Sequence, residues 1–176
     1  MILVTDPRRT PDPTAAAQGL PRGSLVIFRS FGAVDSVAVG RRLKAVARRR
    51  GLLLLVGADP ALARVIGADG VHLPERLAHR AGRLRRARPD WLVTAAAHGG
   101  AAIRRARLAG AQAVLLSPVF ESASPSAGRP LGPVRFAALA RGAGAPVYAL
   151  GGLNEKTAPR ISGAAGLAAV EMLART

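Results

Sequence analysis

The chain contains no cysteine, which excludes a disulfide framework, a thiolate metal site and a thiol nucleophile. Aromatic residues are scarce, with one Trp, one Tyr and four Phe among 176 residues. That leaves no interleaved platform on which single-stranded bases could stack. The apolar runs are short, such as Leu52 to Val56, and fall far below the roughly 20 residues needed to cross a bilayer. The N-terminus, Met1-Ile-Leu-Val-Thr-Asp6, has no basic stretch before its apolar residues and turns polar at once, unlike a secretory signal. A cytoplasmic protein with no membrane partner is expected.

Acid is also in short supply: 10 Asp and Glu face 26 Lys and Arg, for a net charge of +16. Arg41, Arg42, Lys44, Arg48, Arg49 and Arg50 crowd one stretch, Arg83, Arg85, Arg86 and Arg88 another, and Arg104, Arg105 and Arg107 a third. Such clusters attract phosphate backbones through counterion release. Against a nucleic-acid partner stand the missing aromatics and the absence of a recognisable binding motif. Arginine outnumbers lysine 24 to 2, a bias expected of GC-rich coding sequence. Solvated outer helix faces are therefore the expected role of the charge.

With 49% hydrophobic residues, the chain has material for a substantial core in one domain spanning 1–176. A short pattern recurs at Gly67-Ala-Asp-Gly-Val-His-Leu73, Gly110-Ala-Gln-Ala-Val-Leu-Leu116 and Gly163-Ala-Ala-Gly-Leu-Ala-Ala-Val170. In each, glycine stops a helix, alanine fills a close contact and a buried strand begins. Strands are expected at Ile2-Val4, Leu25-Phe28, Leu52-Val56, Gly70-Leu73, Trp91-Thr94, Ala113-Leu116, Pro146-Leu150 and Leu167-Val170. Helices are expected over Ser36-Arg50, Glu75-Arg88, Gly99-Ala109, Val134-Arg141 and Glu155-Ser162, with only Asp12-Gln18 and Glu171-Thr176 available for the first and last. The alternation predicts a small (β/α)8 TIM barrel with short first and last helices, with a doubly wound open sheet as the alternative. The weak seam between those helices points to a homodimer contact covering it.

Barrels of this kind keep their chemistry at the C-terminal rim of the strands. That rule selects Arg29, His72, Glu75, His98, the loop from Ser117 to Gly132, and Gly151-Gly152, which would then converge on one mouth. His98 ends a strand before two glycines and could act as acid or base near neutral pH. Arg29 directly follows a buried strand, where an anionic ligand is a natural partner. For His72 a packing role is as reasonable as a rim role, and His79 reads as solvated. Gly151-Gly152 could bring backbone N–H groups to a phosphate at a helix start, although a tight turn explains it equally well. The long loop offers Ser122, Ser124 and Ser126 to an oxyanion, or simply as turn residues.

Ile2-Leu-Val-Thr-Asp6, Gly67-Ala-Asp-Gly-Val-His-Leu73, Ala97-His98, Leu115-Leu-Ser-Pro-Val-Phe120, Leu131-Gly132 and Val147-Tyr-Ala-Leu-Gly-Gly-Leu153 occur in an order that resembles the thiamine phosphate synthase family, including the thiazole tautomerases. The resemblance covers essentially the whole chain. It implies a barrel that binds a thiazole phosphate; the synthases join it to a pyrimidine diphosphate and release pyrophosphate with Mg²⁺. The rim reading and the resemblance together mark His98 and Arg29 as expected catalytic residues and His72, Ser117, Ser122, Ser124, Arg129, Gly151 and Gly152 as expected substrate or phosphate contacts.

Several positions depart from that pattern. The family's Gln-x-Arg-x-Lys after the second strand is Ile27-Phe-Arg-Ser-Phe31 here, so only Arg29 remains. Its Asn-Asp-Arg after the third strand corresponds to Gly57-Ala58-Asp59, and its second metal aspartate to Leu77. A Mg²⁺ site would need Asp59 or Glu75 as a replacement ligand, and no metal ligand is assigned. The family's Pro-Thr-x-(Thr/Ser)-Lys loop is Glu121-Ser-Ala-Ser-Pro125, with Arg129 as the nearby cation; Glu171 replaces a small polar residue, and Ser117 stands where tautomerases carry histidine. Three readings follow. One is a divergent transferase using Mg²⁺, another a metal-independent isomerase or non-catalytic relative that binds a phosphorylated heterocycle, and the last a basic RNA- or polyanion-binding scaffold.

Overall fold

The third residue of the repeated pattern ties each new strand to an earlier one. Asp69 donates its backbone N–H to Leu54 O at 2.8 Å and takes the Leu54 N–H on its side-chain Oδ2 at 2.8 Å. Gln112 does the same to Val93, donating to its carbonyl at 2.8 Å and accepting its N–H on Oε1 at 2.9 Å. Ala165, lacking a polar side chain, keeps only the backbone bond to Val147 O at 2.8 Å. The preceding alanine also has a fixed task in the first two copies. Ala68 and Ala111 are buried and donate back to Ala63 O and Ala106 O, closing the last turn of a helix.

In the computed structural model, which describes residues 1–122 and 128–170, this device recurs around a barrel. The strands are β1 Ile2–Val4, β2 Leu25–Phe28, β3 Leu53–Gly57, β4 Gly70–Leu73, β5 Leu92–Ala97, β6 Ala113–Leu116, β7 Val147–Leu150 and β8 Gly166–Ala169. They close in chain order into an eight-stranded barrel, with parallel registers such as Val4↔Ile27, Val56↔Val71, Ala97↔Leu116 and Leu116↔Ala149. Leu54, Leu55, Val56, Val114, Leu115 and Leu116 are fully or almost fully buried, as continuous apolar strands covered on both faces should be.

The α-helices among the described residues are α1 Pro13–Gln18, α2 Ser36–Arg50, α3 Pro60–Ile66, α4 Ala81–Ala87, α5 Gly100–Leu108 and α6 Pro133–Arg141. α1 is short, and the stretch expected to form the last helix lies outside the described residues. α3 was not expected, yet its signals are local: Asp59 caps it by accepting from Leu62 N–H, Pro60 occupies its first turn and Gly67 ends it in the left-handed conformation. The stretch expected as one helix from Glu75 begins as a 3-10 turn over Glu75–Arg80 before α4. The helix expected at Glu155-Ser162 reduces to a 3-10 turn at Ala158–Arg160. There Asn154 takes the N–H groups of Lys156 and Thr157 on its side chain, and Pro159 interrupts propagation.

The chain divides into two compact units. The first holds Met1–His72 and Asp90–Leu92 with 169–170, and the second holds Leu73–Pro89 and Val93–Ala168. No helix among the described residues is long and apolar enough to cross a membrane.

Candidate functional site

In the first unit the rim chemistry centres on Arg29. Its backbone N–H donates to Thr5 Oγ1 at 3.0 Å, its Nε–H to Thr5 O at 2.7 Å, and its Nη2 to Asp6 Oδ2 at 3.1 Å. The β1–β2 register explains the pairing, because counting two places beyond Val4↔Ile27 puts Asp6 beside Arg29. Asp6 had no assigned role from sequence, and that register was the signal for it. Gly57 makes room for the arginine: a Cβ there would stand 3.0 Å from Arg29 Cγ. Burial lowers the Arg29 pKa, Asp6 opposes the shift and the Arg9 charge adds to it. The guanidinium is thus half-enclosed, paired and fixed in direction, with Nη1 left over from these bonds.

His72 belongs to the same unit. The residue keeps some accessible surface, but its imidazole is wrapped by protein, and burial together with the Arg29 charge pushes its pKa down to about 4. It is neutral at neutral pH, which suits packing or hydrogen bonding better than holding an anion as a cation.

In the second unit the structure joins residues that the sequence separates by 23 positions. His98 Nδ1 lies 2.7 Å from Glu75 Oε2, and the His98 backbone N–H reaches the same oxygen at 3.0 Å. The second oxygen, Oε1, accepts from Arg105 Nη2 at 2.9 Å. Burial pulls the Glu75 carboxyl upward, but the two His98 hydrogen bonds and the charges of His98 and Arg105 outweigh it and hold the pKa below 4.5. An ionised Glu75 can only accept, so the shared proton sits on Nδ1 and Nε2 is the basic nitrogen. An open hollow of about 820 Å³ adjoins this group, bordered by Arg76, His79, His98, Arg105 and Leu108. His79 is exposed, as expected. Arg105 was visible in the sequence only as one member of a basic cluster.

Ser117 directly follows β6 and donates its backbone N–H to Ala97 O at 3.0 Å. Gly151 and Gly152 are required by close packing: with φ of +95° and +65°, a Cβ on Gly151 would stand 2.9 Å from Pro118 Cα, and one on Gly152 2.2 Å from Glu121 O. Among the described residues no α-helix follows them, and Asn154 leads only into the 3-10 turn at Ala158–Arg160, so the expected α-helix start is not formed there. Arg129 is exposed and Ser122 partly buried. Ser124 and Glu171 lie outside the described residues.

The family resemblance implies Mg²⁺, and the described residues do not fit it. Asp59 spends a carboxylate oxygen capping α3, while both oxygens of Glu75 are engaged by His98 and Arg105. No group of three or more His, Asp or Glu among the described residues is placed to hold a metal ion.

Comparison with known proteins agrees with the fold. Residues 1–173 match the family model described as thiamine monophosphate synthase. The thiamine biosynthesis bifunctional protein ThiM/ThiE of Symbiobacterium thermophilum is 37% identical over 132 residues, covering 73% of this chain and 28% of that protein. The thiamine-phosphate synthase of Alcanivorax borkumensis is 31% identical over 190 aligned positions, covering 98% of this chain and 84% of its own length. The solved thiamine phosphate pyrophosphorylase from Pyrococcus furiosus shares the fold with a TM-score of 0.79 at 20% identity, over 96% of this chain and 84% of that one. The chain belongs to the thiamine monophosphate synthase family.

Proposed function

We propose that this chain is a metal-independent member of its family that binds a phosphorylated thiazole-type heterocycle and moves a proton on it, with His98 as the acid–base group. The observation that carries this reading is the hydrogen bond of His98 to an ionised Glu75. A carboxylate behind Nδ1 fixes the tautomer and stabilises the imidazolium that forms when Nε2 accepts a proton. Nε2 takes a proton from one ring or side-chain position of the heterocycle and returns it at another. The net change is an isomerisation that consumes nothing else. Within the second unit, phosphate contacts are assigned to Ser117, Ser122 and Arg129; within the first unit, Arg29 is assigned an anion contact of its own.

Proton exchange tests this directly. Incubating the protein with thiazole phosphate in D₂O should label the ligand, as read by ¹H NMR, and His98→Ala should slow the labelling by about 10²–10⁴-fold while calorimetry still detects binding. A bound ligand that never exchanges would overturn the catalytic reading.

A second reading, the Mg²⁺-dependent transferase, is favoured by the match over residues 1–173 and by the synthase relative that spans 98% of this chain. Formation of thiamine phosphate from pyrimidine diphosphate and thiazole phosphate, dependent on Mg²⁺, would establish it instead.

A further inference from the structure

The loop that follows Arg29 contains an unexpected choice of residue. Ala33 donates its N–H to Ser30 O at 3.0 Å, closing a four-residue turn whose central residues, Phe31 and Gly32, have φ of +49° and +79°. Two positive φ values in succession are the mark of a type I′ turn, whose first central position favours Asn, Asp or Gly. A bulky aromatic there is strained and needs a reason. Burial does not supply one, because Phe31 is 69% exposed. What the turn achieves is placement: the Arg29 guanidinium carbon lies over the Phe31 ring, 5.2 Å from its centroid.

The consequence is a two-part surface of defined chemistry. Arg29 cannot swing away, since Thr5 O and Asp6 hold its Nε and Nη2 and Gly57 lets its stem lie close. The cation covers one face of Phe31, and the ring's accessible surface is available for stacking. We infer that Phe31 is a ligand-contacting residue, on which a planar aromatic ring stacks while a phosphate carried on a short flexible arm takes the Nη1 edge of Arg29. The inference rests on the reading of the ligand as a phosphorylated heterocycle, and it adds the residue that selects for the ring. Exposed aromatic side chains stack on any flat π-system, so the shelf selects for aromaticity and leaves the identity of the heterocycle to other contacts.

Two simple phosphates test it. 2-Phenylethyl phosphate carries a ring on a two-carbon arm, and ethyl phosphate carries the arm alone. By calorimetry the first should bind wild-type protein roughly 3- to 10-fold more tightly than the second. Phe31→Gly, which also relieves the positive φ, should erase that preference and leave ethyl phosphate affinity within about twofold, whereas Arg29→Ala should weaken both. Ring-proton resonances of Phe31 should shift upfield with the phenyl ligand only. Equal binding of the two phosphates, or an equal loss of both in Phe31→Gly, would overturn the stacking role while leaving the phosphate-ligand reading intact. Failure of both to bind wild-type protein would overturn the two together.

Discussion

One oxygen of Glu75 receives both the Nδ1 and the backbone N–H of His98, at 2.7 and 3.0 Å, so a single carboxylate fixes the histidine's position and the orientation of its ring. Glu75→Gln retains the shape but replaces an obligate acceptor with an amide that can turn its NH₂ toward the imidazole, permitting the other tautomer. Proton exchange on bound thiazole phosphate should fall by about 10²–10⁴-fold in His98→Ala and by a smaller but clear factor in Glu75→Gln, with ligand affinity nearly unchanged. Arg105→Ala should matter less, because Arg105 is exposed and touches only the opposite oxygen. Equal exchange rates in wild type and Glu75→Gln would remove Glu75 from the mechanism.

His72 makes stability depend on pH. Its folded pKa of about 4 lies below the ordinary 6.5, so between those values the unfolded chain binds a proton that the native one refuses. Stability is therefore full above pH 6.5, declines as pH falls toward 4, and changes no further from this source below that. The total loss is roughly 3 kcal/mol. Urea unfolding of wild type and His72→Gln across the window should give curves that converge as pH falls, because the variant lacks this titration. Parallel curves would show that His72 carries no such burden. Glu75 acts in a lower window: its depressed pKa gives stability that is present above 4.5 and is lost as pH falls through its folded value.

Arg29 should separate binding from folding only in part. Removing its side chain leaves Asp6 without its 3.1 Å partner and Thr5 O without its donor, at a cost of about 1–3 kcal/mol. Arg29→Lys retains charge but cannot span both contacts and an anion with one ammonium. Both variants should weaken thiazole phosphate binding about tenfold or more, with far-UV circular dichroism unchanged. Full affinity in Arg29→Lys would mean that charge alone suffices there.

Asp69 and Gln112 offer a matched pair for the strand clamp. Asp69→Ala deprives Leu54 N–H of its side-chain acceptor and frees Lys44, while Gln112→Ala does the same to Val93 N–H without a charge partner. Each should destabilise by about 1–3 kcal/mol, with Asp69 the larger. Asp69→Asn preserves an acceptor and should recover most of the loss in thermal unfolding. If Asn and Ala variants unfold alike, the clamp contributes through its ion pair instead.

The strands were legible because each is a short apolar run buried on both faces, and composition alone marks such a run. The Gly-Ala-x pattern marked where three of them begin. α3 is spelled at its ends by Asp59, Pro60 and Gly67, but it is short, and in the sequence Asp59 serves equally as a cap and as a candidate metal ligand. The 155–162 stretch read as a helix from its composition, but Asn154 captures the N–H groups that would start one. At the site, His98 and Arg29 could be picked out by their position at strand ends. Glu75 was selected by the same rule, but its pairing was not legible, since Glu75 reaches His98 across 23 residues and Arg105 reaches Glu75 across 30, and such pairings exist only once neighbouring elements are packed.

The first copy of the repeated pattern also contains a sharp contrast between its two glycines. Gly67 ends α3 at φ +66° with nothing within 4 Å of a built Cβ, so Gly67→Ala suffers only the left-handed backbone penalty, about 1 kcal/mol. Gly70 begins β4 at φ +155°, where a Cβ would lie 1.9 Å from Leu92 O and 2.7 Å from its C and N. Those are backbone atoms, and they cannot rotate aside as a side chain could. Leu92 is held there because its N–H donates to Asp69 O at 2.9 Å, one residue from the glycine. Gly70→Ala must therefore separate Leu92 from the start of β4 or lose that bond, and should cost at least about 3 kcal/mol or prevent folding. Chemical denaturation of the two alanine variants side by side measures the difference. Similar stabilities would mean that Leu92 does not approach Gly70 so closely, and that the glycine serves the turn alone.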